Sequence, residues 1–191
     1  IYQLGIQRLS IGIQSFQDKL LKTIGRRHNA QQAIQTIHSA QEVGFKNISI
    51  DLMYALPTQT MEQWKADIKT ALQLGIQHIS SYGLIYEEGT PLTHLLDQGD
   101  IDPIDEDTEN AMYDYLCVQL QQAGFEHYEV SNFALPGYKA IHNSNYWNGT
   151  PYIGVGAGAH SYYSYIADDN TPQYIRAYNP DNLEAYMACN L

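Results

Sequence analysis

The chain has 191 residues, 44% of them hydrophobic, and a formal net charge of −11; that is enough apolar mass for one domain with a substantial core and excludes a disordered polymer. Eight of the ten Lys and Arg residues lie between Arg8 and Lys69, so no basic stripe tracks a phosphate backbone and nucleic acid is not an expected partner. Cys117 and Cys189 form no C-x-x-C pair and no apolar run is long enough to span a membrane; the expectation is a soluble cytoplasmic protein, with weak association at a membrane surface left open.

From the first residue the chain reads as a piece of a longer protein, because Ile1 is not methionine and Tyr2 to Gly5 look like the last turn of a preceding helix. A short phrase then recurs four times: GIQRLSIGIQ from Gly5, GFKNISIDLM from Gly44, GIQHISSYGL from Gly75 and GFEHYEVSNF from Gly124. Each is a glycine followed by an alternating apolar run. The spacing of about 30 residues between the second and third copies is that of one strand plus one crossover helix, and glycine suits the left-handed residue that stops a helix. The unit reads as βα and the array as a parallel sheet.

After the first strand a loop carries Gln14 to His28, and Asn29 caps a helix with Ala30, Ala33, Ile34, Ile37 and Ala40 on one stripe. The second strand, Ile48 to Met53, runs into Tyr54-Ala55-Leu56-Pro57, and Thr60 with Gln63 forms a capping-box pattern before a helix that buries Met61, Trp64, Ile68, Ala71 and Leu72. An insertion rich in turn formers and acids follows the third strand, after which Thr108 to Ala123 reads as a helix whose acidic first turn complements the helix dipole. The fourth phrase is followed, from Pro136, by a Gly-, Asn- and Tyr-rich stretch that ends in a helical pattern from Asn182 to Met187. The division expected is a barrel part over 1–135 and an α+β extension over 136–191.

Parallel α/β architectures place their chemistry at the carboxyl ends of the strands. Gln14 and Asp51 end two of the phrases and, by the period-two alternation of strand side chains, share a face. Asp51 is an acid in an apolar strand: either a cap for the following loop or, as its place at the catalytic edge favours, a ligand-binding group. A carboxylate and an amide on adjacent strands suit ribose hydroxyls or an amino-acid head group, and Arg26 could hold a carboxylate in fork geometry; its neighbourhood, Arg26-Arg27-His28, reads equally as a solvated loop. The Gly154-x-Gly156-x-Gly158 string has the wrong order for a dinucleotide fingerprint, with Asp168 and Asp169 in a loop-like run, and reads as a close-packing turn. His142, Tyr146 and Trp147 are either a packed loop or the axial donor and ring contacts of a flat, metal-bearing ligand.

Arg8-Leu-Ser-Ile-Gly-Ile-Gln-Ser-Phe16, Arg26, Ile50-Asp51-Leu52-Met53-Tyr54-Ala55-Leu56-Pro57 and His127-Tyr-Glu-Val-Ser-Asn-Phe133 together resemble the coproporphyrinogen III oxidase-like branch of the radical SAM enzymes. Within it, HNSNYW (His142 to Trp147) and GAGAHS (Gly156 to Ser161) look like the heme chaperone subgroup. The resemblance implies a partial (β/α) radical SAM barrel with parallel strands, S-adenosylmethionine at Gln14, Arg26, Asp51 and His160, and heme at His142, Tyr146 and Trp147. It also implies a [4Fe–4S] cluster whose three cysteines would lie upstream of Ile1, leaving no metal ligands in this stretch. Ala55 departs from the glycine usual in the family's Y-G-L-P turn.

The function implied is binding of heme and its delivery to acceptor proteins. The rival is an oxygen-independent coproporphyrinogen III dehydrogenase, in which a 5′-deoxyadenosyl radical abstracts hydrogen from a propionate. A third reading, from the residues, is a metal-dependent barrel hydrolase using Asp51, His142 and His160.

Overall fold

Apolar residues at alternate positions of the first three phrases set one face of a sheet. The computed structural model describes residues 1–168 and 170–189; Asp169 therefore lies outside the described residues. It divides into two units, Ile1–Lys139 and Ala140–Leu191. In the first, a single turn of 3-10 helix, Tyr2–Leu4, closed by Gly5 at φ 87°, stands where the last turn of a helix was expected. The elements that follow are β1 (Arg8–Gln14), α1 (Asp18–Thr23), α2 (Ala30–Val43), β2 (Asn47–Tyr54), α3 (Met61–Gln73), β3 (His78–Gly83), α4 (Pro91–Asp97), α5 (Glu106–Gln122), β4 (Glu126–Glu129) and β5 (Asn132–Ala134).

The sheet runs β1-β2-β3-β5-β4, with β1, β2 and β3 parallel. Ile13, Ile48, Ile50, Leu52 and Ile79 on its apolar face are buried with Ala33 and Ile37 of α2, Trp64, Ile68 and Ala71 of α3, and Met112, Leu116 and Leu120 of α5. Each large side chain so buried stabilises the fold by roughly 1.5–3 kcal/mol. Trp64 also donates its indole N–H to the Met112 carbonyl at 2.8 Å, which joins α3 to α5 without stranding a polar atom. The alternate positions, Arg8, Ser10 and Gly12 of β1, Asn47, Ser49 and Asp51 of β2, and His78 and Ser80 of β3, line the opposite, polar face. Side-chain bonds cross it from strand to strand: Arg8 to Asn47 at 2.6 Å, Ser10 to Asp51 at 3.2 Å, Ser49 to His78 at 2.7 Å and Ser80 to Asn132 at 2.6 Å.

The fourth phrase departs from the parallel array. It folds as a hairpin in which β5 pairs antiparallel with both β3 and β4. Glu129 breaks the run: its carboxylate accepts the Ser131 amide at 3.0 Å and the Asn132 side-chain amide, and this turns the chain back at Val130-Ser131. Two short helices also replace expected loop. Asp18 at the first turn and Lys22 at the last favour α1, and Thr90 capping Pro91 at the first position starts α4.

The second unit holds α6 (Ile141–Asn148), ended by Gly149 at φ 72°, the antiparallel pair β6 (His160–Ile166) and β7 (Pro172–Tyr178), and α7 (Leu183–Ala188), capped by Asn182. The Gly154 string is a packing turn: a Cβ on Gly154 would collide with the backbone of His160.

Candidate cofactor site

Strand β1 does not end regularly. Its register with β2 slips between Gly12 and Gln14, and Gln14 takes a left-handed conformation at φ 68°, a costly choice for a residue with a Cβ. The turn is held from behind by Asp67 of α3, fully buried, which accepts from Ser15 Oγ at 2.6 Å, the Phe16 amide at 3.1 Å and Gln17 Nε2 at 2.9 Å. Burial raises the Asp67 pKa and these three donors partly offset the rise.

Gln14 is thereby brought beside Gly12, where Arg26 and Asp51 also arrive. Arg26 donates from Nη2 to the Gly12 carbonyl at 2.9 Å. A Cβ built on Gly12 would lie 3.0 Å from Gln14 Nε2, 3.3 Å from Arg26 Nη2 and 3.9 Å from Asp51 Oδ2, so the three polar heads converge over a glycine. Asp51 accepts from Ser10 Oγ at 3.2 Å and is paired in register with Ser80 of β3. Its pKa is raised by burial, against the lowering influence of the Ser10 hydroxyl and of the Arg26 and Arg8 charges. Gln14 and Arg26 also border an open cleft of about 660 Å³ whose apolar wall includes Met53, Leu84, Ile85, Leu92 and Leu95.

A carboxylate, a primary amide and a guanidinium around a backbone carbonyl form a donor and acceptor set for a ligand with hydroxyls, an ammonium and a carboxylate. S-adenosylmethionine has those groups, and the cradle over Gly12 fits it.

The second unit carries the remaining candidates. His142 and Tyr146 lie one turn apart on α6, with His142 Nε2 and the Tyr146 hydroxyl 2.9 Å apart and the Tyr146 ring edge-on to Tyr152. Trp147 is 64% exposed. His160 opens β6, exposed, with its ring 6.0 Å from that of Tyr178. Among the described residues no group of three or more His, Cys, Asp and Glu could hold a metal ion, so the hydrolase reading gains no ligand set. Cys117 and Cys189, both free, are fewer than the three cysteines a [4Fe–4S] motif supplies.

Gly12, Ser10, Ser80 and Asp67 escaped the reading of the sequence. Asp67 had a visible signal, an acid on the stripe of α3 that carries Trp64, Ile68 and Ala71. Gly12 had none, because a glycine inside an alternating run looks the same whether it weakens a strand or admits a ligand.

Residues 1–71 match the Radical SAM superfamily profile. The heme chaperone HemW of Lactococcus lactis is 42% identical over 165 residues, 86% of this chain and 44% of that protein. HemW of Bacillus subtilis is 41% identical over 158 residues, 83% of this chain and 42% of that protein. The mitochondrial radical S-adenosyl methionine domain-containing protein 1 of Danio rerio is 39% identical over 82% of this chain and 35% of its own length. The chain thus spans less than half the length of these relatives. In fold it is similar to the coproporphyrinogen III oxidase HemN of Escherichia coli, a radical SAM enzyme, with a TM-score of 0.70 at 20% identity over 96% of this chain and 43% of that one. No described helix is long and apolar enough to cross a membrane. By the profile match over residues 1–71, the relatives at about 40% identity and the similar fold, the chain is most like the HemW-like group of the radical SAM superfamily.

Proposed function

We propose that the protein binds heme and delivers it to acceptor proteins, with S-adenosylmethionine held over Gly12. The reading is supported chiefly by the grouping of His142, Tyr146 and Trp147 on an exposed helix of a chain whose relatives include heme chaperones. An imidazole, a phenol and an open indole within two turns suit a flat aromatic ligand with a metal at its centre. His142 would hold the metal through Nε2, which faces the Tyr146 hydroxyl at 2.9 Å, while Trp147 would offer ring area.

In the first unit Asp51 would accept from ribose hydroxyls or the ammonium. Gln14 would donate and accept beside it, and Arg26, anchored on the Gly12 carbonyl by Nη2, would present its remaining N–H groups to a carboxylate. Bound there, S-adenosylmethionine would supply an activated sulfonium, held by Gln14 and Arg26 at the border of the cleft that Met53 and Leu84 also line. His160, at the start of β6 in the second unit, has the Tyr178 ring as its neighbour. The [4Fe–4S] cluster has no ligand set among the two cysteines of this chain.

Titration of the full-length protein with hemin tests the reading. A Soret band that weakens in His142→Ala is expected, and undiminished binding in that variant would remove this histidine from the site. Turnover of coproporphyrinogen III by the cluster-loaded protein would move the function to the dehydrogenase whose fold the chain shares.

A further inference from the structure

One residue from each strand of the sheet stands in a single transverse row: Gly12, Asp51, Ser80, Asn132 and Glu129 are paired neighbour to neighbour. Ser80 Oγ lies 2.6 Å from Asn132 Oδ1, buried, and Asn132 Nδ2 is bonded to Glu129 Oε1, which also takes the Ser131 amide. The polarity of this row is fixed from its far end. An ionised Glu129 can only accept, so it takes the Asn132 amino group and leaves the amide carbonyl facing Ser80. A carbonyl also only accepts, and Ser80 has one hydrogen, which is thereby committed to Asn132. What Ser80 presents to Asp51 is a lone pair.

We propose that Glu129, Asn132 and Ser80 are positioning residues that make Asp51 a proton-holding carboxyl in the ligand-free site, and that binding of a cationic, hydroxyl-bearing ligand over Gly12 releases that proton to solvent. The inference rests on the assignment of S-adenosylmethionine to the Gly12 cradle. A carboxyl O–H directed at Ser80 Oγ completes the row, whereas an ionised Asp51 would meet the lone pair head-on. A Ser80 hydroxyl turned toward Asp51 would favour the carboxylate, but its hydrogen is already taken.

Other groups act on Asp51 from the elements around it. The Ser10 hydroxyl of β1 donates to Oδ1 at 3.2 Å, and Arg8 of β1 and Arg26 of the α1–α2 loop favour the ionised form. Burial opposes them. His78, further along the same face, is bonded to Ser49 and Tyr128 and, with its pKa lowered to about 4, adds no charge at neutral pH.

The sign of one substitution separates the two polarities. Binding of S-adenosylmethionine to the full-length protein is measured by calorimetry from about pH 5 to about pH 8, in buffers of different ionisation heat. Wild type should bind more tightly as pH rises, with proton release at the acidic end. Ser80→Ala removes the acceptor and should bind several-fold more tightly than wild type at the acidic end and equally at the alkaline end, while Ser80→Thr keeps the wild-type profile. Weaker acidic binding in Ser80→Ala, or an unchanged profile, overturns the inference. Failure of wild type to bind at any pH would sink the cofactor assignment instead. The infrared difference spectrum between ligand-free wild type and Asp51→Asn then decides on its own: a protonated carboxyl band at about pH 6 that Ser80→Ala diminishes supports the row, and its absence in wild type rejects it.

Discussion

Ala55 sits where the family resemblance calls for glycine, and it holds the backbone glycine would hold, at φ 57° and nearly fully buried. The left-handed conformation costs a residue with a Cβ about 1 kcal/mol or somewhat more. The buried methyl returns about 0.8 kcal/mol. These nearly cancel, so Ala55→Gly should change the urea unfolding free energy by less than about 1 kcal/mol. Ala55→Val adds β-branching in the left-handed region and overfills the site, and a loss of about 2 kcal/mol or more is expected. Gly12 is the opposite case, since its backbone would accept alanine but the space over it would not. Gly12→Ala should weaken S-adenosylmethionine binding roughly tenfold through the displaced Gln14 and Arg26 heads, with little change in Tm. His78 adds its own pH dependence to the polar face, of opposite sign to that of Asp51. Its folded pKa of about 4 lies below the ordinary 6.5 because burial disfavours the imidazolium. The unfolded chain therefore takes up the proton first as pH falls. The His78 contribution alone should fall by about 3 kcal/mol between pH 6.5 and about 4 and then level off, against an opposite contribution from the raised carboxyls of Asp51 and Asp67. The difference in unfolding free energy between wild type and His78→Gln across that range checks this, and a difference that does not change with pH would contradict it.

Local rules of capping and periodicity made the βα units readable from residues alone. Asn29 and Thr60 each close a capping box with Gln32 and Gln63, and α2 and α3 bury the stripes their spacing foretells. Thr60→Ala should lower stability by about 1 kcal/mol in equilibrium unfolding, the worth of one such cap. Long-range pairing is where the sequence was silent. The phrase at Gly124 has the same glycine and alternation as the others, yet it turns back because Glu129 satisfies the Ser131 and Asn132 donors, a bond that needs the third dimension to be seen. The site was legible in part for the same reason. Gln14 and Asp51 sit at strand ends that alternation places on one face, but the turn that delivers Gln14 depends on Asp67, 53 residues away in sequence. Asp67→Ala strands two buried donors and a half-buried one and should cost about 3 kcal/mol. Asp67→Asn keeps a carbonyl for the Phe16 amide and Gln17 and should be tolerated to within about 1 kcal/mol, so equal damage from both would mean that volume, not hydrogen bonding, is what Asp67 supplies.

At the scale of the whole molecule two features oppose each other. Strand β1 lies at one edge of the five-stranded sheet and β4 at the other. Next to β1 the chain exposes Leu4 at 82% and Ile6 at 45% of their surfaces, and in the second unit Ile153 and Val155 are more than four-fifths exposed. An open edge flanked by apolar side chains is a template for pairing with another copy. Against this stands the net charge of −11, which keeps copies apart wherever it is not screened. Screening shortens the reach of that repulsion from about 30 Å at 0.01 M salt to about 3 Å at 1 M, while edge pairing and apolar contact are left intact. The 191-residue chain, prepared by itself, should therefore sediment as larger species as salt is raised, and a lysine in place of Ile6 should suppress the effect. If the chain stays monomeric and melts cooperatively at high salt, the β1 edge is not a pairing surface. If association instead weakens with salt, opposite charges hold the copies together and the edge is not what draws them.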